Sequence, residues 1–249
     1  MLRAAIGDIH LSGFQSDTLD KEGLPKRLGY IIKSLKYIVD FCKKRNIFNF
    51  DILGDVINDK SIIYTVAQDA FKEFLVGYKD CCFKIISGNH DLSSTGDLQK
   101  SAISVFSEYN NVKCIITNFE IIDGITYIPY TNNFLDLINK VSNSNIMISH
   151  LGLNEAHLQS GLSHVDKIFI KDLSKFKLVL LGHYHRPQQL SNDKTSVWYP
   201  GSLISKDWND KNEQKRFLIY DTESLEVESI PIQCGIPEFH EYIISLLID

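Results

Sequence analysis

Five short apolar runs in this chain each stop at or just before side chains able to bind a metal. In order these are Asp8 and His10, Asp55, Asn89, His150, then His183 and His185. In an extended segment residues i and i+2 point to the same side. Asp8-Ile9-His10 and His183-Tyr184-His185 can therefore each aim two ligands at one point. Gly7, Gly54, Gly88 and Gly182 lie beside the ligands, and glycine suits a tight turn out of a strand. A single Asp-x-His pair would be unremarkable chance. All five segments in this order require a fold that gathers five strand ends at one rim.

The spacing predicts strands at residues 2–7, 50–53, 83–87, 112–117, 146–149 and 178–181, and a hairpin of 119–122 and 125–128 turning at Asp123-Gly124. Further strands are expected near 188–190, 195–199, 216–221 and 224–230. Residues 24–45 read as an amphipathic helix, with Leu28, Ile31, Ile32, Leu35, Ile38, Val39 and Cys42 on one face. Residues 62–77, 97–109 and 132–141 are expected to be helical, and 151–165 a loop. The first half alternates strand and helix and the last third is strand-rich. The expected fold is α/β, a two-sheet β-sandwich flanked by helices, over residues 1–230. Residues 231–249 form a short tail with one helical pattern.

A net charge of −5 over 249 residues is unlike a strongly basic nucleic-acid-binding domain. Contact with DNA would need a local patch or a partner's surface. Cys42, Cys81, Cys82, Cys114 and Cys234 show no C-x-x-C spacing and are read as buried, reduced thiols. Asp8 stands too near the N-terminus for a cleaved leader, and no apolar run approaches the roughly 20 residues of a membrane span. A cytoplasmic protein, neither secreted nor in a membrane, is expected.

Mixed imidazole and carboxylate ligands suit manganese, iron or zinc better than calcium. Two such ions about 3.5–4 Å apart polarise phosphoryl oxygens and make hydroxide available at neutral pH. Two carboxylates against four positive charges leave the centre net positive, which favours an anionic phosphoester. Asp55 is the carboxylate placed to bridge both ions. His90 follows Asn89 directly; neighbouring side chains in a loop diverge, so it is expected to act as a general acid rather than a ligand. Asp91 is expected to orient His90 and raise its pKa, with a structural turn residue as the alternative.

The segments Gly7-Asp8-Ile9-His10, Leu53-Gly54-Asp55, Gly88-Asn89-His90-Asp91, Ser149-His150 and Gly182-His183-Tyr184-His185 resemble the calcineurin-like metallophosphoesterase superfamily. That resemblance implies that Asp8, His10, Asp55 and His185 hold one metal. Asp55, Asn89, His150 and His183 would hold the other, with His90 as the catalytic histidine. The chain is most similar to SbcD-type nuclease subunits of double-strand-break repair complexes, phage versions included. His185-Arg186-Pro187-Gln188 and Tyr199-Pro200-Gly201-Ser202-Leu203 carry this finer likeness. It implies DNA as substrate, an SMC-like ABC ATPase of the SbcC type as partner, and a homodimer through Ile62, Ile63, Phe71, Phe74, Leu98, Ile103 and Phe106. The nineteen residues after Ile230 are few for a DNA-capping domain and ATPase-docking helices.

Asn58 and Arg186 are candidate substrate contacts, Arg186 by pairing with phosphate. His157 and His164 are read as solvated loop residues. Lys43-Lys44-Arg45 suits a helix C-terminus. Tyr184 should point away from the metals. Trp198 reads as structural and Trp208 as interfacial. A small-molecule phosphodiesterase or a protein phosphatase is the alternative function. Intact ligands oppose a non-catalytic scaffold.

Overall fold

The structure is a computed structural model that describes residues 1–59, 62–93, 100–142, 144–157 and 166–241. Twelve strands are described: β1 (Leu2–Ile6), β2 (Asn49–Ile52), β3 (Cys82–Ile86), β4 (Val112–Ile115), β5 (Glu120–Ile122), β6 (Ile125–Ile128), β7 (Ile146–His150), β8 (Leu178–Gly182), β9 (Gln188–Ser191), β10 (Ser196–Tyr199), β11 (Arg216–Asp221) and β12 (Val227–Pro231). They form two six-stranded sheets, ordered β12-β11-β1-β2-β3-β4 and β5-β6-β7-β8-β10-β9. Three α-helices accompany them, α1 (Lys26–Lys44), α2 (Thr65–Gly77) and α3 (Phe134–Lys140).

Strict alternation along the central strands explains the layering. Ala5, Ile148, Leu178, Leu180 and Leu218 face inward and join the two sheets in one apolar layer. Ala4, Ile6, Phe50, Ile52, Phe83 and Ile85 face out of the first sheet and meet α1 and α2. Met147, Val179, Leu181 and Val197 face out of the second sheet and meet α3 and the segment Ile170–Phe176. A strand covered on both faces tends to read as a continuous apolar run, and β8 does so, while β1, β2 and β3 are each interrupted by one buried charged residue, Arg3, Asp51 and Lys84. The sandwich flanked by helices is the fold expected from the sequence.

The α1 face is as expected, with Leu28, Ile31, Ile32, Leu35, Ile38, Val39 and Cys42 all buried. The Asp17 carboxylate accepts from the Arg27 backbone N–H at 2.9 Å and so serves the first turn. At the other end Lys43 pairs with Asp80 and Arg45 with Glu228, consistent with a structural role for that basic run. The expected helix at 97–109 is instead a 3-10 helix, Ala102–Glu108, within the described residues. Its bonds run to the third residue back, as from the Ser104 N–H to the Ser101 carbonyl. Phe71, Phe74, Ile103 and Phe106 are core residues, while Ile62 and Ile63 are about half exposed. Most of the expected dimer residues thus have a core role, and Leu98 lies outside the described residues.

The tail up to Glu241 holds no helix; residues 242–249 lie outside the described set. The described part packs back on the domain. Ile232 is buried in the first core layer, the Asn212 N–H donates to the Phe239 carbonyl, and Trp208 meets Phe239 edge-on with ring centroids 5.9 Å apart. Among the cysteines, Cys82 is exposed and Cys234 half-buried, so only three of the five are buried thiols. Among the described residues no helix is long and apolar enough to cross a membrane.

Candidate metal centre

All seven expected ligands stand at or just beyond the carboxyl ends of β1, β2, β3, β7 and β8. Getting the chain out of these strands costs backbone strain: His10, Asp55 and His183 all adopt positive φ (54°, 48° and 105°). Gly54, at φ 91°, lies against the His150 ring and the Gly88 backbone, where a Cβ would collide. The turns brace one another. Both the Ile9 and His10 N–H groups donate to the Asp55 carbonyl (3.1 and 2.9 Å), the His183 N–H donates to Asp8 Oδ1 (2.9 Å), and the His90 N–H donates to Asp55 Oδ1 (2.8 Å).

The ring nitrogens and the carboxylate and amide oxygens then converge at close range. His10 Nε2 and His185 Nε2 are 2.9 Å apart. Asn89 Oδ1 lies 3.1 Å from both His150 Nε2 and His183 Nδ1. Asp55 Oδ2 stands between these sets, 3.4 Å from His150 Nε2 and 3.7 Å from His10 Nε2. Asp8 Oδ2 and His10 Nδ1 are buried without a partner. Asp8, His10 and His185 form one compact donor group and Asp8, Asp55 and His150 another. Buried lone pairs facing one another cost free energy unless a cation sits among them, so this donor set fits divalent metal.

The electrostatics agree. Burial pushes Asp8 up to about 6, against the favourable His150 charge and with help from Asp55. Burial also opposes ionisation of Asp55, but His150, His10 and His90 together outweigh it and hold that carboxyl far below the usual range. His150 is raised to about 9, because the Asp55 and Asp8 carboxylates overcome its burial. Burial, reinforced by neighbouring cations, depresses His183 to about 4 and His185 to about 3 and lowers His10. Those three imidazoles are neutral near pH 7, the form that binds metal.

His90 stays beside this cluster, its ring centroid 5.0 Å from that of His10. Its Nδ1 faces the Asn58 carbonyl at 2.6 Å. Asp91 does not orient it, contrary to expectation. The Asp91 carboxylate is buried and accepts from the Ile57 and Gly88 N–H groups, both at 2.8 Å, pinning the turns after β2 and β3 together. Burial, then Asp55, pushes it up to about 7. Asn58 thus meets His90 through its backbone carbonyl, and it also lines a cavity of about 450 Å³ beside Asp8 and His10. Arg186 is exposed, bonds Gln188 through its carbonyl, and is absent from that lining. Tyr184 turns away from the ligands and donates its hydroxyl to Asp166. His157 is exposed, and His164 lies outside the described residues.

Lys206, Arg27, Phe14 and Tyr64 also line the cavity and were missed in the sequence. Lys206 is brought there by the Pro200-Gly201-Ser202 segment. Gly201 (φ 81°) packs on the Pro187 ring, its carbonyl lies where a Cβ on Gly7 would be, and the Ser202 N–H donates to the His185 carbonyl at 3.0 Å. Burial lowers the Lys206 pKa while the Asp8 and Asp55 charges oppose that shift. A signal existed in hindsight, a lone lysine four residues past a Gly-Ser turn, but nothing in the spacing aims it.

Residues 1–187 match the family described as Calcineurin-like phosphoesterase. The chain belongs to the calcineurin-like phosphoesterase family. It is accordingly a metal-dependent phosphoester hydrolase. It is similar to exonuclease subunit 1 of Enterobacteria phage T4, at 27% identity over 239 residues, covering 91% of this chain and 66% of that relative. Two solved structures share the fold. One is a hypothetical protein from Pyrococcus horikoshii OT3 (13% identity, 93% of this chain and 88% of that one, TM-score 0.54). The other is a dimetal phosphatase from Danio rerio (11%, 94% and 99%, 0.54).

Proposed function

We propose that the chain is a two-metal phosphodiesterase that cuts DNA, as the nuclease subunit of a recombination or repair complex. The observation that carries the two-ion reading is Asp55 Oδ2, set between His150 Nε2 at 3.4 Å and His10 Nε2 at 3.7 Å. Asp8, His10, Asp55 and His185 would hold one ion, and Asp55, Asn89, His150 and His183 the other. Bound ions, manganese first with iron or zinc as alternatives, would supply positive charge that polarises the phosphoester and activates water. His90 Nδ1–H donates to the Asn58 carbonyl, so the second proton of an imidazolium His90 would sit on Nε2, where it could pass to the departing alkoxide and leave the neutral Nδ1–H ring.

The likeness to a phage exonuclease subunit supports DNA as substrate. It also favours the cytoplasm of an infected or bacterial cell, and an SbcC-type ATPase partner. The chain spans 66% of that relative's length. Of the residues expected at a homodimer surface, Ile62 and Ile63 are exposed, with Val66, Val76 and Val105 exposed in the same two segments; a monomer in solution scattering would remove that assignment. The substrate test uses purified protein with Mn2+ on single-stranded DNA, on duplex ends and on bis-p-nitrophenyl phosphate. Cutting of DNA is expected. Hydrolysis of the small ester with no DNA cut, even beside an ATPase partner, would replace this reading with a small-molecule phosphodiesterase.

A further inference from the structure

The cavity that shares Asp8 and His10 with the donor cluster measures about 450 Å³, within the range of roughly 300–1,000 Å³ typical of small-ligand pockets. Its walls mix aromatic and cationic groups. Tyr64 packs its ring against the bare Cα of Gly13, where any Cβ would displace it. Phe14 lines the same space and carries the Arg27 guanidinium 4.5 Å from its ring centroid, with Arg27 anchored to Asp17 at 2.9 Å. Ile204 and Lys206 come from the segment that the Gly201 turn delivers. Two aromatic rings in a lining that also carries Ser12, Gln15 and Ser16 suit a heterocyclic base, which has two π faces and a hydrogen-bonding edge.

We propose that this cavity receives one unpaired nucleobase adjoining the scissile phosphate, with Tyr64 and Phe14 as stacking walls and Lys206 as the cation for a neighbouring phosphate. This rests on the DNA reading above and specifies it. A paired base cannot enter such a recess, so a duplex must first fray or extrude the nucleotide. Single strands and frayed ends are then the preferred substrates.

The test compares oligonucleotides carrying an abasic residue at successive positions with the intact strand, in Mn2+. The wild-type protein should show kcat/KM lower by about tenfold when the abasic residue adjoins the cut. Tyr64→Ala should bring that ratio close to one, and Tyr64→Phe should keep it. A dinucleotide containing 2-aminopurine, added to the chelated wild-type protein, should lose fluorescence by stacking, and Tyr64→Ala should not quench it. Equal rates at every abasic position, an unchanged ratio in Tyr64→Ala, or no quenching by the wild-type protein would overturn the pocket while leaving the nuclease reading in place. Absence of any oligonucleotide cutting by protein that hydrolyses bis-p-nitrophenyl phosphate would overturn both.

Discussion

Further back along β1 and β2, Arg3 and Asp51 are fully buried side by side, and just past the ends of the same strands Asp8 and Asp55 are buried too. The first cluster is self-sufficient. Asp51 Oδ1 accepts from Arg3 Nη2 (2.8 Å) and the Tyr127 hydroxyl (2.7 Å), and Oδ2 accepts from Arg3 Nε (2.9 Å) and the Tyr220 hydroxyl (2.7 Å). Tyr127 comes from the opposite sheet, so this cluster also ties the sandwich together. In the second cluster Asp8 Oδ2 has no hydrogen-bond partner, and the imidazole nitrogens of His10 and His185 face one another. The Asp51 carboxylate is satisfied by arginine and tyrosine donors, whereas the Asp8 and Asp55 site keeps an unpartnered carboxylate oxygen for a cation. That difference separates a structural ion pair from a reactive site at equal burial.

The contrast breaks most readily at Asp55. Asp55→Asn should weaken metal binding by more than about 100-fold and remove activity; calorimetry showing two ions still bound would refute its bridging position. His90→Asn should slow hydrolysis by about 10²–10⁴-fold with both ions retained. Full activity in that variant would end the general-acid role. Asp51→Ala should behave in the opposite way, costing about 3–5 kcal/mol of stability with metal stoichiometry unchanged. A thermal melt like that of the wild type would show the Arg3 cluster to be dispensable.

The smallest effect is a pH dependence of the chelated protein. Asp8, Asp91 and His150 have folded values raised to about 6, 7 and 9. A raised value means that the folded state holds its proton more tightly, so stability is lost as pH rises through it. His183 and His185 are depressed to about 4 and 3, so both are neutral, folded or unfolded, well above pH 6.5 and add no slope there. Between pH 7 and 9 the melting temperature of metal-free protein should therefore fall, and added Mn2+ should widen the gap. Asp8→Asn should raise the metal-free melting temperature while weakening metal binding. A flat profile would mean that the empty site carries no electrostatic strain.

The sequence was most legible where local pattern and chemistry coincide. Central strands appeared as largely apolar runs, α1 as a stripe from Leu28 to Cys42, and the ligands as polar residues at run ends. The 3-10 helix at Ala102–Glu108 was not legible, because periodicity alone does not separate a short 3-10 segment from an α-helix. For Asp91 the pattern left two roles open, and the side chain takes the structural one, turning back to the Ile57 and Gly88 N–H groups rather than to His90.

The sequence by itself determined the reaction class and the identity of the donor atoms, since ligand type and order depend on few residues. Only the tertiary structure decided how Asp55 is set between the donor sets, what holds His90, and that Lys206, Arg27, Phe14 and Tyr64 share a cavity with Asp8. These facts depend on contacts between residues far apart in the chain, whose geometry is set by sheet register and strained turns and leaves no trace in local spacing. The same reason hid Arg3 and Asp51, separated by 48 residues that include α1 and brought together on neighbouring strands of one sheet.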